Sequence, residues 1–500
     1  MKKIWEQYRK KAAIADFWMI IWQLAAYLVG NRILLVGPLE TLQALGKQVL
    51  HGSFWLTVGT SLQRIGAGFA AGLALGLLLA AVSSRFALAG EVLAPVMSLL
   101  KAIPVASFVV LFLIWWRSGV LATAVSFCIV LPNIYVNTLE GIRHVDRRLL
   151  EMAGVLEIPA WNRFFYIYRP ALKPYLDSAI RISVGMSWKS GVAAEVIGIP
   201  ALSVGERLYL SKIYLDTAGV LAWTVVTILA SVACEKAVLA LWRWFQHWEP
   251  RCRALRGRER QHVARGETRE TQNIRQGTVH QGKAATAAQA VLELSHVSKS
   301  YHGKAVLRDV TASYERGRIY YFRSPSGSGK TTLLRLIAGL EEPDCQGYGD
   351  ARPTEKGDRT AGKDSGEQAD RTAGVGSMAA HGGIERHGSR ISMVFQEDRL
   401  CEEYSALVNV DMVTGNREKS REHLCQLLEE EDLHKPCREL SGGMKRRVAV
   451  ARAVAAGGDV ILLDEPYTGL DAESRRRTEQ YIHSYGADSA LLVATHDIPH

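Results

Sequence analysis

The chain changes character near residue 250, and this change limits what it can fold into. Up to about Trp244 the sequence is dominated by long apolar runs, whereas beyond Arg251 it is polar and charged. A membrane-spanning helix needs about 20 mainly apolar residues. Candidate spans lie roughly at 17–36, 65–83, 95–116, 118–139, 176–198 and 218–243, of which the third is interrupted by Lys101 and Pro104. We therefore predict an all-α membrane domain of about six spans over residues 1–250, followed by a soluble domain.

Basic residues are concentrated in three places around these spans. They precede the first span, fill the 140–175 loop and follow the sixth span. Loops rich in Lys and Arg remain on the cytoplasmic side of a membrane, so we expect a multi-pass protein of the cytoplasmic membrane with these three regions in the cytoplasm. The same loops explain the net charge of +10, and no nucleic-acid partner is predicted. The seven cysteines are scattered without a CxxC pair, which favours a reducing compartment.

Two features within the spans have more than one interpretation. Gly68, Gly72 and Gly76 recur every four residues, a spacing that allows another helix to approach closely. Packing within the subunit is the favoured interpretation, and a dimer seam is the alternative. Four charged residues also fall in or near apolar stretches, where pairing between helices or snorkelling is favoured over a polar path for an anion; they are Lys101, Arg181, Lys189 and Glu195.

The polar half begins with a segment, 251–290, that lacks apolar periodicity and is predicted to be a flexible basic linker. A strand-like run then enters a Gly/Ser loop and an apolar helix, a pattern typical of phosphate binding. Lys330 would reach the β and γ phosphates, and Thr331 would coordinate Mg²⁺. Ser324 replaces the usual first glycine, which predicts strain and weaker phosphate binding if that position needs a positive φ. The predicted ATP-binding loop comprises Ser324, Pro325, Ser326, Gly327, Ser328, Gly329, Lys330, Thr331 and Thr332.

Further polar residues follow apolar strands downstream of this loop. The run VILLDEP ends in Asp464 and Glu465, of which the first would hold Mg²⁺ and the second would orient or deprotonate water. The run LSGGM opens a helix whose N-terminus is a second anion-binding candidate, formed by Ser441, Gly442 and Gly443. Single residues also follow two strands, namely Gln396 after ISMVF and His496 after LLVAT.

These motifs, in this order, resemble the Walker A, Q-loop, signature, Walker B, D-loop and switch histidine of an ABC ATPase over about 291–500. The resemblance implies an α/β P-loop domain that binds ATP and Mg²⁺, in which Tyr301 would stack on adenine and Asp471 would lie in the D-loop. Gln396 would be a metal ligand, and it would also take part in catalysis together with Glu465 and His496. It also implies that two such domains enclose two ATP molecules, so the chain is expected to homodimerise. Arg446 departs from the family, which often has glutamine there, and the end at His500 predicts a truncated or minimal domain.

The region 345–390 falls where relatives have a short connection. It is rich in glycine and charge, and it repeats DRTAG at 358–362 and 370–374. We predict a mostly disordered insertion.

The segment EMAGVLEIPAWNRFFYIYRP, at 151–170, resembles the cytoplasmic EAA loop of bacterial ABC importers. Glu151, Ala153 and Pro170 match that motif, whereas Glu157 stands where the family has glycine. The resemblance implies docking beside the Q-loop of the ATPase, and aromatic residues such as Trp161 would supply contact area. The alternative is an amphipathic helix lying on lipid.

Other stretches of 55–245, including WKSGVAAEVIGIP, resemble permeases of the nitrate/sulfonate/taurine importer family. The combined resemblance implies a type I importer with permease and ATPase fused in one chain. It would carry a small solute, such as a sulfonate, nitrate, taurine-like or vitamin-precursor-like molecule, across the lipid bilayer from a separate extracytoplasmic binding protein. The alternatives are an exporter half-transporter and a non-transporting, ATP-driven signalling module.

Overall fold

The computed structural model describes residues 2–247, 290–325, 327–344 and 383–496. These residues form two compact units, one of Met1–Val145 with Tyr168–Pro250 and the other of Asp146–Ile167 with Arg251–His500. The predicted linker, apart from Ala290, lies outside the described residues, as do positions 345–382 of the predicted insertion. The segment 146–167, which the sequence assigned to the membrane domain, groups with the second unit.

The first unit is entirely helical among the described residues. Its helices are α1 (Lys2–Val29), α2 (Pro38–Val49), α3 (Gly52–Arg85), α4 (Ala87–Ala102), α5 (Val105–Trp115), α6 (Ser118–Arg143), α9 (Arg169–Gly198), α10 (Val204–Ile213) and α11 (Thr217–His247). Helices α7 (Arg147–Val155) and α8 (Ala160–Arg163) follow α6 along the chain but belong to the second unit. The π-helical turn Phe164–Tyr168 joins α8 to α9.

Fewer helices qualify as membrane spans than the sequence predicted. Among the described residues, three are long and apolar enough to cross a membrane, namely α3, α6 and α11, or four if α4 and α5 form one span across their 102° bend. The bend lies at Pro104, where the third predicted span was interrupted. The predicted first span is short, because only Asp16–Val29 of α1 is apolar. The predicted fifth span corresponds to α9, which carries charges throughout its length and buries its apolar face against α6 and α11.

The three glycines of the second predicted span face α6 of the same chain. All three are buried. A Cβ atom at Gly68 would lie 2.2 Å from the carbonyl oxygen of Thr123, and one at Gly72 would lie 2.9 Å from Cβ of Val130. The glycines therefore allow close packing within the subunit, as the favoured interpretation held, because no side chain fits between the two backbones.

We expect Gly68→Ala to destabilise the membrane unit although alanine favours helix formation. The added methyl group collides with the backbone of α6, and overpacking of this kind costs about 1–3 kcal/mol. The unfolding midpoint of the purified protein in detergent measures the effect. Gly66→Ala is the matched control, because a Cβ atom at Gly66 meets nothing within 4 Å. Equal midpoints for the two variants would contradict the packing argument.

The intramembrane charges differ in environment. Glu195 is fully buried and accepts hydrogen bonds from Oγ of Ser61 (2.7 Å) and from the backbone N–H of Gly205 (3.3 Å). Lys189 and Arg181 are exposed at the surface of the unit. Partnering between helices therefore accounts for Oε2 of Glu195, whereas its Oε1 has no hydrogen-bond partner among the described residues.

The second unit is an α/β domain with two sheets. An antiparallel sheet has the order β2–β1–β4, formed by β1 (Ala290–Tyr301), β2 (Lys304–Glu315) and β4 (Gly383–Glu385). A parallel sheet has the order β3–β7–β6–β5, formed by β3 (Ile319–Arg323), β5 (Ile391–Val394), β6 (Val460–Asp464) and β7 (Ala490–Thr495). The helices are α12 (Lys330–Ile337), α13 (Ala406–Thr414), α14 (Arg417–Cys425), α15 (Gly442–Ala456) and α16 (Ala472–Tyr485).

The helical membrane unit and the α/β domain together match the predicted fold class. Strands β6 and β7 are buried along their whole length, as continuous apolar runs at the centre of a parallel sheet should be. The predicted insertion, however, extends too far at its C-terminal end. Strand β4 pairs with Glu293–Ser295 of β1, and Arg386 donates to the carbonyl oxygen of Ile337 (3.0 Å).

Candidate nucleotide site and docked segment

Four of the predicted motifs follow the four strands of the parallel sheet. The phosphate loop follows β3, Gln396 follows β5, Asp464 and Glu465 end β6, and His496 follows β7. Neighbouring parallel strands end at the same edge of a sheet, which is where ligands bind in α/β folds. The register agrees, since Asp464 pairs with Ala494 and Arg323 pairs with Thr495. The sheet therefore brings these motifs to one edge.

The phosphate loop has the backbone that anion binding needs. Gly327 and Gly329 have φ values of 83° and 93°, a region that glycine adopts without steric cost. Helix α12 begins at Lys330, so the free N–H groups of its first turn lie at the loop. Nζ of Lys330 donates to the carbonyl oxygens of Ser324 and Pro325 (3.3 Å for the latter). Position 326 lies outside the described residues.

Ser324 does not show the strain predicted for it. It is absent from the described non-glycine residues with positive φ. The two glycines that follow it supply the left-handed conformations of the loop. Weaker phosphate binding was predicted from strain at a positive φ, and Ser324 does not have a positive φ. That reason for weaker binding is therefore wrong.

Asp464 is suited to hold a metal ion. Its side chain is almost fully buried, and its Oδ2 has no hydrogen-bond partner among the described residues. Burial raises the pKa of Asp464, and a hydrogen bond from Thr331 opposes that shift. A divalent cation would complete the coordination of the orphaned oxygen and favour the ionised form. Carboxylate and hydroxyl oxygens are ligands that Mg²⁺ prefers, so the pair Asp464 and Thr331 fits this ion.

Glu465 lies against the histidine that follows β7. Its Oε1 is 2.7 Å from Nε2 of His496, and its Oε2 accepts a hydrogen bond from Oγ1 of Thr468 (3.1 Å). The backbone of Glu465 has φ of 50°, and its N–H donates to the carbonyl oxygen of Ala494 (2.9 Å). A left-handed conformation at a residue other than glycine costs free energy and persists where its surroundings enforce it. The carboxylate is thus held in one position, as a general base requires.

Two further residues predicted to contact the nucleotide, Tyr301 and Gln396, lie at the ends of strands. Tyr301 ends β1, is 40% exposed, and donates its hydroxyl hydrogen to Glu341. Burial, with the neighbouring Glu341, raises the pKa of Tyr301. Gln396 is exposed at the end of β5.

The signature residues belong to a separate part of the domain surface. Ser441 caps α15 by accepting from the backbone N–H of Met444 (3.3 Å). A Cβ atom at Gly443 would lie 3.1 Å from the carbonyl oxygen of Gly469, so the signature packs against the D-loop. Asp471 caps α16, and hydrogen bonds from Ser474 hold the pKa of its carboxyl low. Within the described ranges, no hydrogen bond joins Ser441, Gly442 or Gly443 to the phosphate loop.

The segment 146–167 is held in the second unit by charged side chains. Oε2 of Glu151 lies 2.8 Å from NH1 of Arg399, just beyond Gln396, and 3.7 Å from NH1 of Arg335 on α12. The carbonyl oxygen of the buried Ala153 accepts from NH2 of Arg163 (3.3 Å). Glu151 therefore joins the segment both to the residues after β5 and to the helix after the phosphate loop.

Aromatic and amide contacts complete this docking. The ring centroids of Trp161 and Phe165 are 4.4 Å apart. Nδ2 of the buried Asn162 donates to the carbonyl oxygen of Met412 (3.0 Å). The hydroxyl of Tyr404 donates to the carbonyl oxygen of Phe165 (3.2 Å). Sequence reasoning missed Asn162, because nothing in the run WNRFF distinguishes a buried amide from a surface one.

Two positions of the EAA-like motif differ from expectation. Glu157 has φ of 50°, a left-handed conformation that glycine adopts at less cost, and its carboxylate lies 3.0 Å from Nε of Arg390. Pro170 does not belong to the docked segment, because it is the second residue of α9 and lies in the membrane unit. Pro170 follows almost directly on the π-helical turn Phe164–Tyr168, from which the helical backbone continues into α9.

Comparisons with known proteins agree with both units. A family described as ABC transporter matches residues 307–468, and a family described as binding-protein-dependent transport system inner membrane component matches residues 72–246. "Aliphatic sulfonates import ATP-binding protein SsuB 1" of Rhodococcus jostii (strain RHA1) is 36% identical over 211 residues, or 41% of this chain and 73% of that protein. "Fe(3+) ions import ATP-binding protein FbpC 1" of the same organism is 34% identical over 217 residues, or 42% of this chain and 56% of that protein. A solved ATP-binding subunit of an ABC transporter is 22% identical and covers 41% of this chain and 79% of its own, with a TM-score of 0.31.

Apart from 146–167, the second unit is therefore an ABC ATPase domain, and the first unit is a membrane permease component with several apolar helical spans. The chain belongs to the ABC transporter family and fuses these two components.

Proposed function

We propose that this chain is the fused permease and ATPase subunit of an importer that carries a small solute into the cytoplasm at the expense of ATP. The observation that carries the proposal is the placement of 146–167. This segment connects α6 to α9, both in the membrane unit, yet it packs with the ATPase domain. A change in the ATPase domain can therefore act directly on the ends of two membrane helices.

The residues at the sheet edge would perform the hydrolysis. Lys330 and the N–H groups of the glycine loop would bind the phosphates, and Thr331 with Asp464 would hold Mg²⁺, which when bound would neutralise phosphate charge. Glu465 accepts a proton from the attacking water or orients it. His496, 2.7 Å from that carboxylate, fixes its direction. Tyr301 offers an aromatic face to the adenine, as base stacking requires.

A second copy of the chain would complete the site. The signature residues share no hydrogen bond with the phosphate loop of their own chain within the described ranges. A helix N-terminus with exposed N–H groups is nevertheless an anion-binding element, and Ser441 is exposed. In a homodimer, this element of one chain would meet the γ-phosphate held by the other.

The solute is proposed from the relatives. Their names refer to import of aliphatic sulfonates and of Fe³⁺ ions, and the membrane half resembles permeases for nitrate, sulfonates and taurine. We propose a small solute, such as a sulfonate, nitrate, taurine-like or vitamin-precursor-like molecule, supplied by a separate extracytoplasmic binding protein.

Direction of transport tests the proposal. Proteoliposomes are prepared with the ATPase domain facing the lumen, ATP and Mg²⁺ are enclosed, and radiolabelled taurine, methanesulfonate and nitrate are added outside with the cognate binding protein. We expect ATP-dependent accumulation of one solute inside, abolished by omitting the binding protein. An exporter would empty preloaded vesicles without any binding protein. A signalling ATPase would hydrolyse ATP with no flux in either direction, and either result would contradict import.

A further inference from the structure

Arg446 is a buried cation outside the set of residues assigned to the nucleotide. It lies on the first turns of α15, five residues after Ser441, and is 3% exposed. Taking a guanidinium group out of water is costly unless its donors are satisfied. The partners of Arg446 therefore show what the charge is used for.

Its three nitrogen atoms reach the loops after two different strands. On the loop after β5, NH1 donates to the carbonyl oxygen of Phe395 (2.7 Å) and to Oδ1 of Asp398 (3.1 Å). On the end of β6, Nε and NH2 donate to the carbonyl oxygen of Glu465 (3.2 and 2.7 Å). NH2 also donates to the carbonyl oxygen of Asp464. One planar group thus holds the backbone just before Gln396, the carboxylate of Asp398, and the backbone at the two acidic residues of β6.

Glutamine could not make this set of contacts. It offers two N–H donors from one nitrogen, whereas arginine offers five donors arranged as a fork. The oxygen of a glutamine amide directed at these carbonyl groups would also repel them. Arginine at this position can therefore join the two loops, whereas glutamine could not.

The backbone of Glu465 needs such a support. Its φ of 50° is a conformation that residues other than glycine adopt only when their surroundings enforce it. Its N–H is fixed by Ala494 of β7, and its carbonyl oxygen is fixed by Arg446. Both ends of the residue are then held, and the carboxylate faces His496.

We propose that Arg446 is a positioning residue that sets the distance between Gln396 and the pair Asp464 and Glu465. It acts through the backbone carbonyl groups of both loops and does not touch the nucleotide. The inference deepens the proposed function and rests on it for the effect on catalysis. It also makes a statement about the two loops that is independent of hydrolysis.

The first test is kinetic. We expect Arg446→Gln to lower kcat for ATP hydrolysis at least about tenfold, because small misplacements of catalytic groups have large effects on rate, while KM for ATP changes less than about twofold. Arg446→Lys keeps the charge but has compact donors that reach one loop, and an intermediate kcat is expected. Arg447→Gln is the matched control, because Arg447 on the same helix donates to the carbonyl oxygen of Leu427 instead. An unchanged kcat in Arg446→Gln, or an equal loss in Arg447→Gln, would overturn the proposal.

The second test does not need hydrolysis. Hydrogen–deuterium exchange of the full-length protein in detergent should be faster in Arg446→Gln at both 395–399 and 464–468, and unchanged at those segments in Arg447→Gln. Faster exchange over the whole domain would show a general loss of stability, and faster exchange in one loop alone would show that Arg446 does not join them. Either result would overturn the proposal. A wild-type protein without ATPase activity that still shows the paired exchange effect would contradict the proposed function and leave the role of Arg446 standing.

Discussion

Replacing Glu465 with glutamine is expected to lower kcat for ATP hydrolysis by about 10²–10⁴-fold while ATP still binds. Glutamine has the same shape and can keep the contacts with His496 and Thr468, at 2.7 and 3.1 Å in the wild type. It cannot accept the proton of the attacking water. Phosphate release and retention of labelled ATP by the purified protein measure the two effects.

Glu473→Gln is the control for this experiment. Glu473 lies near the start of the next helix, is largely exposed, and pairs with Arg477 at 2.6 Å. Exposed pairs of this kind contribute about 0.3–0.5 kcal/mol, so its loss should leave hydrolysis unchanged. Full activity in Glu465→Gln, or an equal loss in Glu473→Gln, would show that Glu465 is not the base.

Reversing the charge of Glu151 is expected to reduce transport while ATP still binds. Glu151→Lys places an ammonium group beside Arg399, whose side chain is 9% exposed, and near Arg335. Removing one partner of a largely buried ion pair costs about 2 kcal/mol or more. We expect ATP-driven uptake to fall at least about tenfold, with ATP binding retained, and the amides of 147–163 to exchange faster with deuterium.

Two further variants make the Glu151 experiment specific. Adding Arg399→Glu to Glu151→Lys restores an opposite-charge pair and should recover part of the uptake. Arg148→Gln removes a pair with Glu397 whose side chains are 62% and 52% exposed, so its effect should be small. If Glu151→Lys transports solute like the wild type, the charge pair plays no part in coupling.

The sequence was informative where function depends on a short local pattern. A strand, a glycine loop and a helix starting at Lys330 define a phosphate site by themselves, because their geometry depends on neighbours along the chain. The order of the motifs then indicated one sheet edge, since parallel strands end together. The strain predicted for Ser324 was wrong because the left-handed conformations fall on Gly327 and Gly329.

Length and hydropathy do not identify α9 as a span, although the sequence analysis predicted one at 176–198, because hydropathy treats each helix in isolation. Helix α9 carries charged residues along its length and yet packs centrally, against α6 and α11. Glu195 shows the reason, because a buried carboxylate that accepts hydrogen bonds from another helix costs far less than an isolated one. Its partner, Ser61, is far away in the sequence.

The sequence by itself determined the two kinds of domain, the place of the phosphate loop, and the segment that connects α6 to α9. Tertiary structure alone decided the partners of that segment and the buried contacts of Asn162 and Arg446. Each of these depends on a backbone carbonyl or a charge supplied by a distant part of the chain. A residue type states which hydrogen bonds a side chain can make, but only the folded chain determines which groups come within reach of it.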